Sequence, residues 1–333
     1  MAHRKTALAL MTVIVLLAAG IARAQTVTWG MANEYPATSI QGEADARFAR
    51  EVTLRTGGRI EIAHQYDASS GYRSNEMVDA IRRGDLPIGN TYMGALSGVD
   101  PIFLLPSLPF LATTPEQGQA LAAVARRAYE RALARHNQVL LFLSPWPAAG
   151  IWANKPVDSM DALRGLRIRT ADANGVIAFK AAGAMPVVVS FADALPQLKA
   201  GQLDAVLSSG DGGAGARLME TLRHFTAIEY AVTMSMVTVN GDAWRALDPA
   251  QQQAVREAAA ETEARQWDVL RTRVAANYAR MRAAGVALHT DLSLEYRQAL
   301  RAAGRPALDD WLRQMGAPGA KILDAYRARL AGR

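Results

Sequence analysis

The chain has 333 residues, half of them hydrophobic, with a formal charge of +6 and no cysteine. That length and apolar fraction predict a large core divided between two domains. The missing thiols exclude disulfides, a thiolate nucleophile and sulfur-ligated metal. The basic residues are spread along helical stretches rather than gathered in a patch, which argues against nucleic acid as a partner.

Residues 1–24 carry Arg4 and Lys5, then an apolar run, then Ala22-Arg23-Ala24. A basic front, a short apolar middle and a small-x-small end predict a cleavable export signal, cut after Ala24. Its removal takes away Arg4, Lys5 and Arg23, with no acid, and lowers the charge from +6 to about +3. No later run reaches the roughly 20 apolar residues of a membrane span. A soluble periplasmic protein is expected.

Residues 25–31 read as a strand, followed by the loop Asn33-Glu34-Tyr35-Pro36. A helix over 39–55 closes at Gly57-Gly58, 59–65 is a second strand, and a helix over 75–83 stops at Gly84. Residues 86–89 form a third strand leading into Asn90-Thr91-Tyr92. This β-α-β-α-β order implies parallel strands with right-handed crossovers, and ligands bind beyond the carboxyl ends of such strands. Asn33, Tyr72 and Tyr92 fall at or near those ends and are candidate contacts. The proline-spaced segment 106–111 is expected to pack rather than bind. An Ala- and Arg-rich helix over 114–137 and a strand over 139–144 follow, and Pro145-Trp146-Pro147 marks a crossing into a second lobe.

A second unit of the same kind occupies 163–209. Leu166, Ile168 and Thr170 alternate with Arg167 and Arg169, which is strand periodicity. A helix then closes at Gly183, 185–189 is a strand, and Ser190 opens a helix with Asp193 three residues later. Gly201 ends that helix before a strand over 204–207. Arg169 stands at a strand's carboxyl end, just before a helix start. A fixed guanidinium beside a helix N-terminus makes a carboxylate site. The glycine-rich run 210–215 lacks the Gly-Lys-Ser/Thr of a phosphate loop and is expected to be flexible.

Residues 231–240 predict a strand returning to the first lobe. Asp248-Pro249 starts a helix that meets no breaker before Gly285, about 36 residues or roughly 54 Å. Such a length predicts a beam joining both lobes. Two more helices, over 292–303 and 307–329, are separated by Gly304-Arg305-Pro306. The expected fold is α/β and two-lobed, like periplasmic binding proteins. Lobe I comprises 25–145 and 231–268, lobe II 146–230 and 269–333, and the helix over 249–284 spans both.

The stretches GLRIRT, KAAGAMPVVVSFADAL and AGQLDAVLSS, together with Thr56-Gly57-Gly58-Arg59-Ile60 and PSLPFL, resemble the DctP-type substrate-binding subunits of TRAP (tripartite ATP-independent periplasmic) transporters. The motifs stand in register along nearly all of the chain after the signal. The resemblance implies capture of a small organic-acid anion, lobe closure around a bending hinge helix, and delivery to one small and one large membrane subunit driven by an ion gradient. It implies that Arg169 pairs the ligand carboxylate, that Phe191 sets its ring against the ligand, and that Ser208 replaces an asparagine common in the family. Two departures bear on the ligand. A second arginine found in acidic-sugar binders would lie near Ala148 or Ala149, and the acid of metal-assisted sites would fall on Leu207. One carboxylate on an apolar, aromatic, hydroxy or keto body is therefore expected, with Trp146 and Trp152 beside it and no metal or cofactor.

An enzyme is not expected. His64, His136, His224 and His289 lie in separate elements, with neither H-E-x-x-H spacing nor a Gly-x-Ser-x-Gly elbow. The alternatives are a ligand sensor for a membrane receptor and an exported enzyme acting on small organic acids. A monomer is the default.

Overall fold

The strands divide between two sheets. The computed structural model describes residues 26–332, so the export signal expected over 1–24 lies outside the described residues. In chain order the first half contains β1 (Val27–Asn33), α1 (Ile40–Arg55), β2 (Ile60–Gln65), α2 (Ser74–Arg83), β3 (Ile88–Tyr92), α3 (Pro115–Ala134) and β4 (Gln138–Pro145). Next come β5 (Gly150–Ala153), α4 (Met160–Leu163), β6 (Arg167–Thr170), α5 (Ala173–Ala181), β7 (Met185–Val188), α6 (Phe191–Lys199), β8 (Ala205–Ser208), α7 (Gly212–Met219) and β9 (His224–Thr226). The chain ends with β10 (Met234–Asn240), α8 (Gly241–Arg245), α9 (Pro249–Ala283), β11 (Ala287–His289) and α10 (Leu294–Ala331).

The first sheet has the order β2-β1-β3-β10-β4, with β10 antiparallel to both neighbours. The second has the order β11-β9-β5-β8-β6-β7. Each places the carboxyl ends of its parallel strands, and the helix starts that follow, toward the junction of the lobes. Local chemistry sets those starts. The Ser39 side chain caps α1 through the Gly42 N–H, Asp172 caps α5 through Gly175, and Ser190 caps α6 through Asp193.

The long helix α9 has 35 residues, about 53 Å, and opens with a capping box of Asp248 and Gln251 around Pro249. Val255, Ala258 and Ala259 enter the first lobe's core. Met281, near its other end, lies against the loop after β8. One continuous helix therefore touches both lobes.

Two expectations need correction. Residues 304–306 do not break the last helix. Gly304 is buried where a Cβ would come within 2.8 Å of Pro109, so it allows close packing rather than marking a stop. The break falls instead at Gly316, at φ 58°. The run 210–215 is ordered, most of it in α7. A Cβ on Gly212 would fall 2.1 Å from the Thr38 carbonyl oxygen, so its glycine serves a close lobe-to-lobe contact. His224 and His289 lie in separate elements, as expected, and the pairing of β9 with β11 brings them together. His224 Nδ1 lies 2.9 Å from His289 Nε2.

Candidate ligand-binding site

A cavity of about 50 Å³ lies between the lobes, walled by Tyr35, Tyr92, Trp146, Arg169, Asp172, Phe191, Ser208 and Tyr230, among others. Six of its residues, Arg169 and Asp172 included, also line an outer crevice of about 700 Å³.

Arg169 comes from β6, between β7 and β8, in register with Val187 and Val206. Arg167, two residues earlier on the same face, is exposed and bonded to Asp204. Arg169 is only 3% exposed. Its Nε donates to the Val189 carbonyl at 2.7 Å and its Nη1 to the Leu207 carbonyl at 3.4 Å. None of the ion pairs among the described residues includes it. These two carbonyls and the Tyr35 hydroxyl are neutral acceptors; they orient the fork and leave part of its five-donor capacity unused. That is a geometry for gripping a carboxylate from outside the chain.

Around this cation stands an aromatic wall. Tyr35 meets Trp146 edge-on at 4.6 Å between centroids and Phe191 at 5.7 Å. The Trp146 Nε1–H donates to Ser235, which fixes the indole so that its hydrocarbon face is what the cavity offers. Burial pushes the Tyr35 phenol well above its ordinary range. Asp172 supplies the opposite charge. Its carboxylate accepts from the Tyr92 hydroxyl at 2.9 Å and the Gly175 N–H at 2.9 Å. Burial raises its pKa, against the pull of the Gly175 N–H, the Tyr92 hydroxyl and Arg169. The Tyr230 hydroxyl is buried without a hydrogen-bond partner. The site thus combines one cation, one acceptor carboxylate, one free hydroxyl and apolar rings.

Among the residues singled out in the sequence, Arg169, Phe191, Ser208, Trp146 and Tyr92 meet at this cavity. Asn33, Tyr72 and Trp152 do not. Asn33 bonds to Asp45 and receives the Tyr35 N–H, which shapes the loop beneath the wall. Tyr72 turns its hydroxyl to Asp85 near the surface. Trp152 is fully buried against Phe225, packed into the core rather than lining the cavity. Asp172 and Tyr230 were missed. Asp172 carried a signal, a helix-capping acid just after the Arg169 strand. Tyr230 lies past β9 in a stretch with no periodicity to read. Among the described residues no group of three or more His, Asp or Glu side chains is arranged to hold a metal ion.

Two α/β lobes, a spanning helix and a charged interlobe cavity define the class of two-lobed binding proteins. The sequence model described as bacterial extracellular solute-binding protein, family 7 (DctP), matches residues 31–314, and the chain belongs to that family. It is a solute-binding protein of the TRAP type. A similar solved structure is DctP6, an extracytoplasmic solute receptor of Bordetella pertussis binding pyroglutamic acid. It is 30% identical, with a TM-score of 0.86, over 91% of this chain and all of that one. A marine metagenome TRAP solute-binding protein specific for pyroglutamate is 29% identical, with a TM-score of 0.85, over 91% and 99% of the two chains. A solute-binding protein of Chromohalobacter salexigens is 23% identical over 295 residues, 87% of this chain and 86% of its own. Among the described residues no helix is long and apolar enough to cross a membrane.

Proposed function

We propose that the chain binds a small monocarboxylate bearing an N–H donor, pyroglutamate being the representative, and carries it to TRAP membrane subunits. The observation that carries the reading is Arg169, buried and oriented by neutral carbonyls, opposite the acceptor carboxylate of Asp172. A lactam acid answers both groups, its carboxylate to the guanidinium and its N–H to Asp172. The Tyr230 hydroxyl is available to the lactam carbonyl, and the ring lies against Phe191 and Trp146. A second carboxylate on the ligand would meet Asp172 and be repelled. The pyroglutamate bound by relatives 28–30% identical supports the same class.

In this reading the mature chain starts at Gln25 and acts as a periplasmic monomer without catalysis. Residues 25–145 and 231–268 close over residues 146–230 and 269–333, α9 bends, and an ion gradient drives uptake. Calorimetric titration with pyroglutamate tests it. Saturable binding of one equivalent, with succinate at least about 100-fold weaker, is expected. Absence of binding, or preference for succinate, overturns it.

A further inference from the structure

Among the described residues Glu34 is a buried acid, 3% exposed, that forms no ion pair within its own lobe or across the junction. Its two oxygens are divided between the lobes. Oε2 accepts the Ser74 N–H at the start of α2, at 2.9 Å. Oε1 accepts the Phe191 N–H at 2.9 Å and the Ala192 N–H at 3.4 Å, at the start of α6 in the other lobe. The N-termini of α2 and α6 therefore converge on one carboxylate. Each carries partial positive charge and unfilled N–H donors, so their approach is unfavourable unless an anion lies between them.

We infer that Glu34 is a positioning residue for ligand capture, a latch whose bonds to α6 form only when the lobes close. Its bond to Ser74 lies within one lobe and survives opening, so the carboxylate waits in place. The bonds to Phe191 and Ala192 must break whenever the lobes part. At the rim, Arg73, which precedes α2, donates to Asp193 in the first turn of α6 at 2.9 and 3.3 Å. Desolvated Glu34 is the stronger element and the exposed Arg73–Asp193 pair the weaker one. Glu34 touches the outer crevice but is absent from the inner cavity wall, so it acts through closure rather than through the ligand. The inference rests on the lobe-closing reading above and not on the identity of the acid.

The test uses the absence of native cysteine. In the full chain, Arg73→Cys and Asp193→Cys place two thiols across the rim, and a short bismaleimide traps spontaneous closures without added acid. Glu34→Gln is expected to slow trapping about three-fold and Glu34→Ala about ten-fold, with unchanged circular dichroism. Millimolar formate is expected to restore most of the Glu34→Ala rate by standing in for the missing carboxylate, and to leave the Glu34 protein unaffected. Equal trapping rates in all three proteins overturn the latch. If Glu34→Ala misfolds, the isosteric Gln variant decides. Added pyroglutamate is read separately. If it fails to speed trapping in the Glu34 protein, the ligand class is wrong, while the comparison among variants stands.

Discussion

Arg169 and Arg273 both lie where the lobes meet, and their surroundings are opposite. Arg273, on α9, donates to Asp211 at 2.6 Å, pairs with Glu43 and reaches the Thr38 carbonyl. Asp211 is fully buried and also accepts from Asn277 and from the Ile40 N–H at the start of α1. That cluster gives the cation acids of the chain's own and ties the long helix to both lobes. Arg169 has neutral partners instead, two backbone carbonyls and the Tyr35 hydroxyl. A buried cation with its own acids holds a fold together, whereas one oriented by neutral groups is completed from outside.

The sharpest way to break the contrast is Arg273→Ala. It strands the buried Asp211, and urea unfolding is expected to show a loss of about 3–5 kcal/mol. A loss under 1 kcal/mol would mean the pair is dispensable. A second probe is Asp45, a buried carboxylate held only by the Asn33 and Asn90 amides. Burial raises its pKa from 3.8 to about 7. The folded state therefore keeps a proton that the unfolded chain releases near pH 4, and stability falls as pH rises through that window. Relative to Asp45→Asn, the wild type is expected to lose on the order of 3–4 kcal/mol between about pH 4 and pH 7, then run parallel. Parallel stability curves throughout would show that Asp45 ionises normally.

Arg169→Ala turns the comparison toward function. Pyroglutamate affinity is expected to fall about 100-fold or more in calorimetry, with stability changed by about 1 kcal/mol or less. Unchanged affinity would remove the assignment. The smallest effect belongs to Tyr230→Phe, which deletes the hydroxyl that has no partner. About five-fold weaker binding with unaltered or slightly higher thermal stability is expected. A marked drop in stability would show that the hydroxyl serves the fold.

The strands and helices that build both lobes were legible because apolar periodicity and caps are local. Ser190 and Asp248 start helices where their side chains reach the next turn's N–H groups, and Gly84 ends one in the left-handed region. Where a residue serves a distant partner, local reading failed. Gly304 and Gly212 looked like a break and a flexible loop, yet each is small because another segment presses against it. Asn33, Tyr72 and Trp152 occupy plausible positions along their elements, but their side chains satisfy neighbours away from the cavity.

What this sequence determined by itself was the two repeated β-α-β units, the long helix and an arginine at the end of a strand. All of these follow from spacings of a few residues. Only the tertiary structure decided which charges find partners. It left Arg169 with carbonyls, gave Arg273 two acids and set Glu34 between helices from different lobes. The free energy of a buried charge depends on groups that are near in space and far apart along the chain.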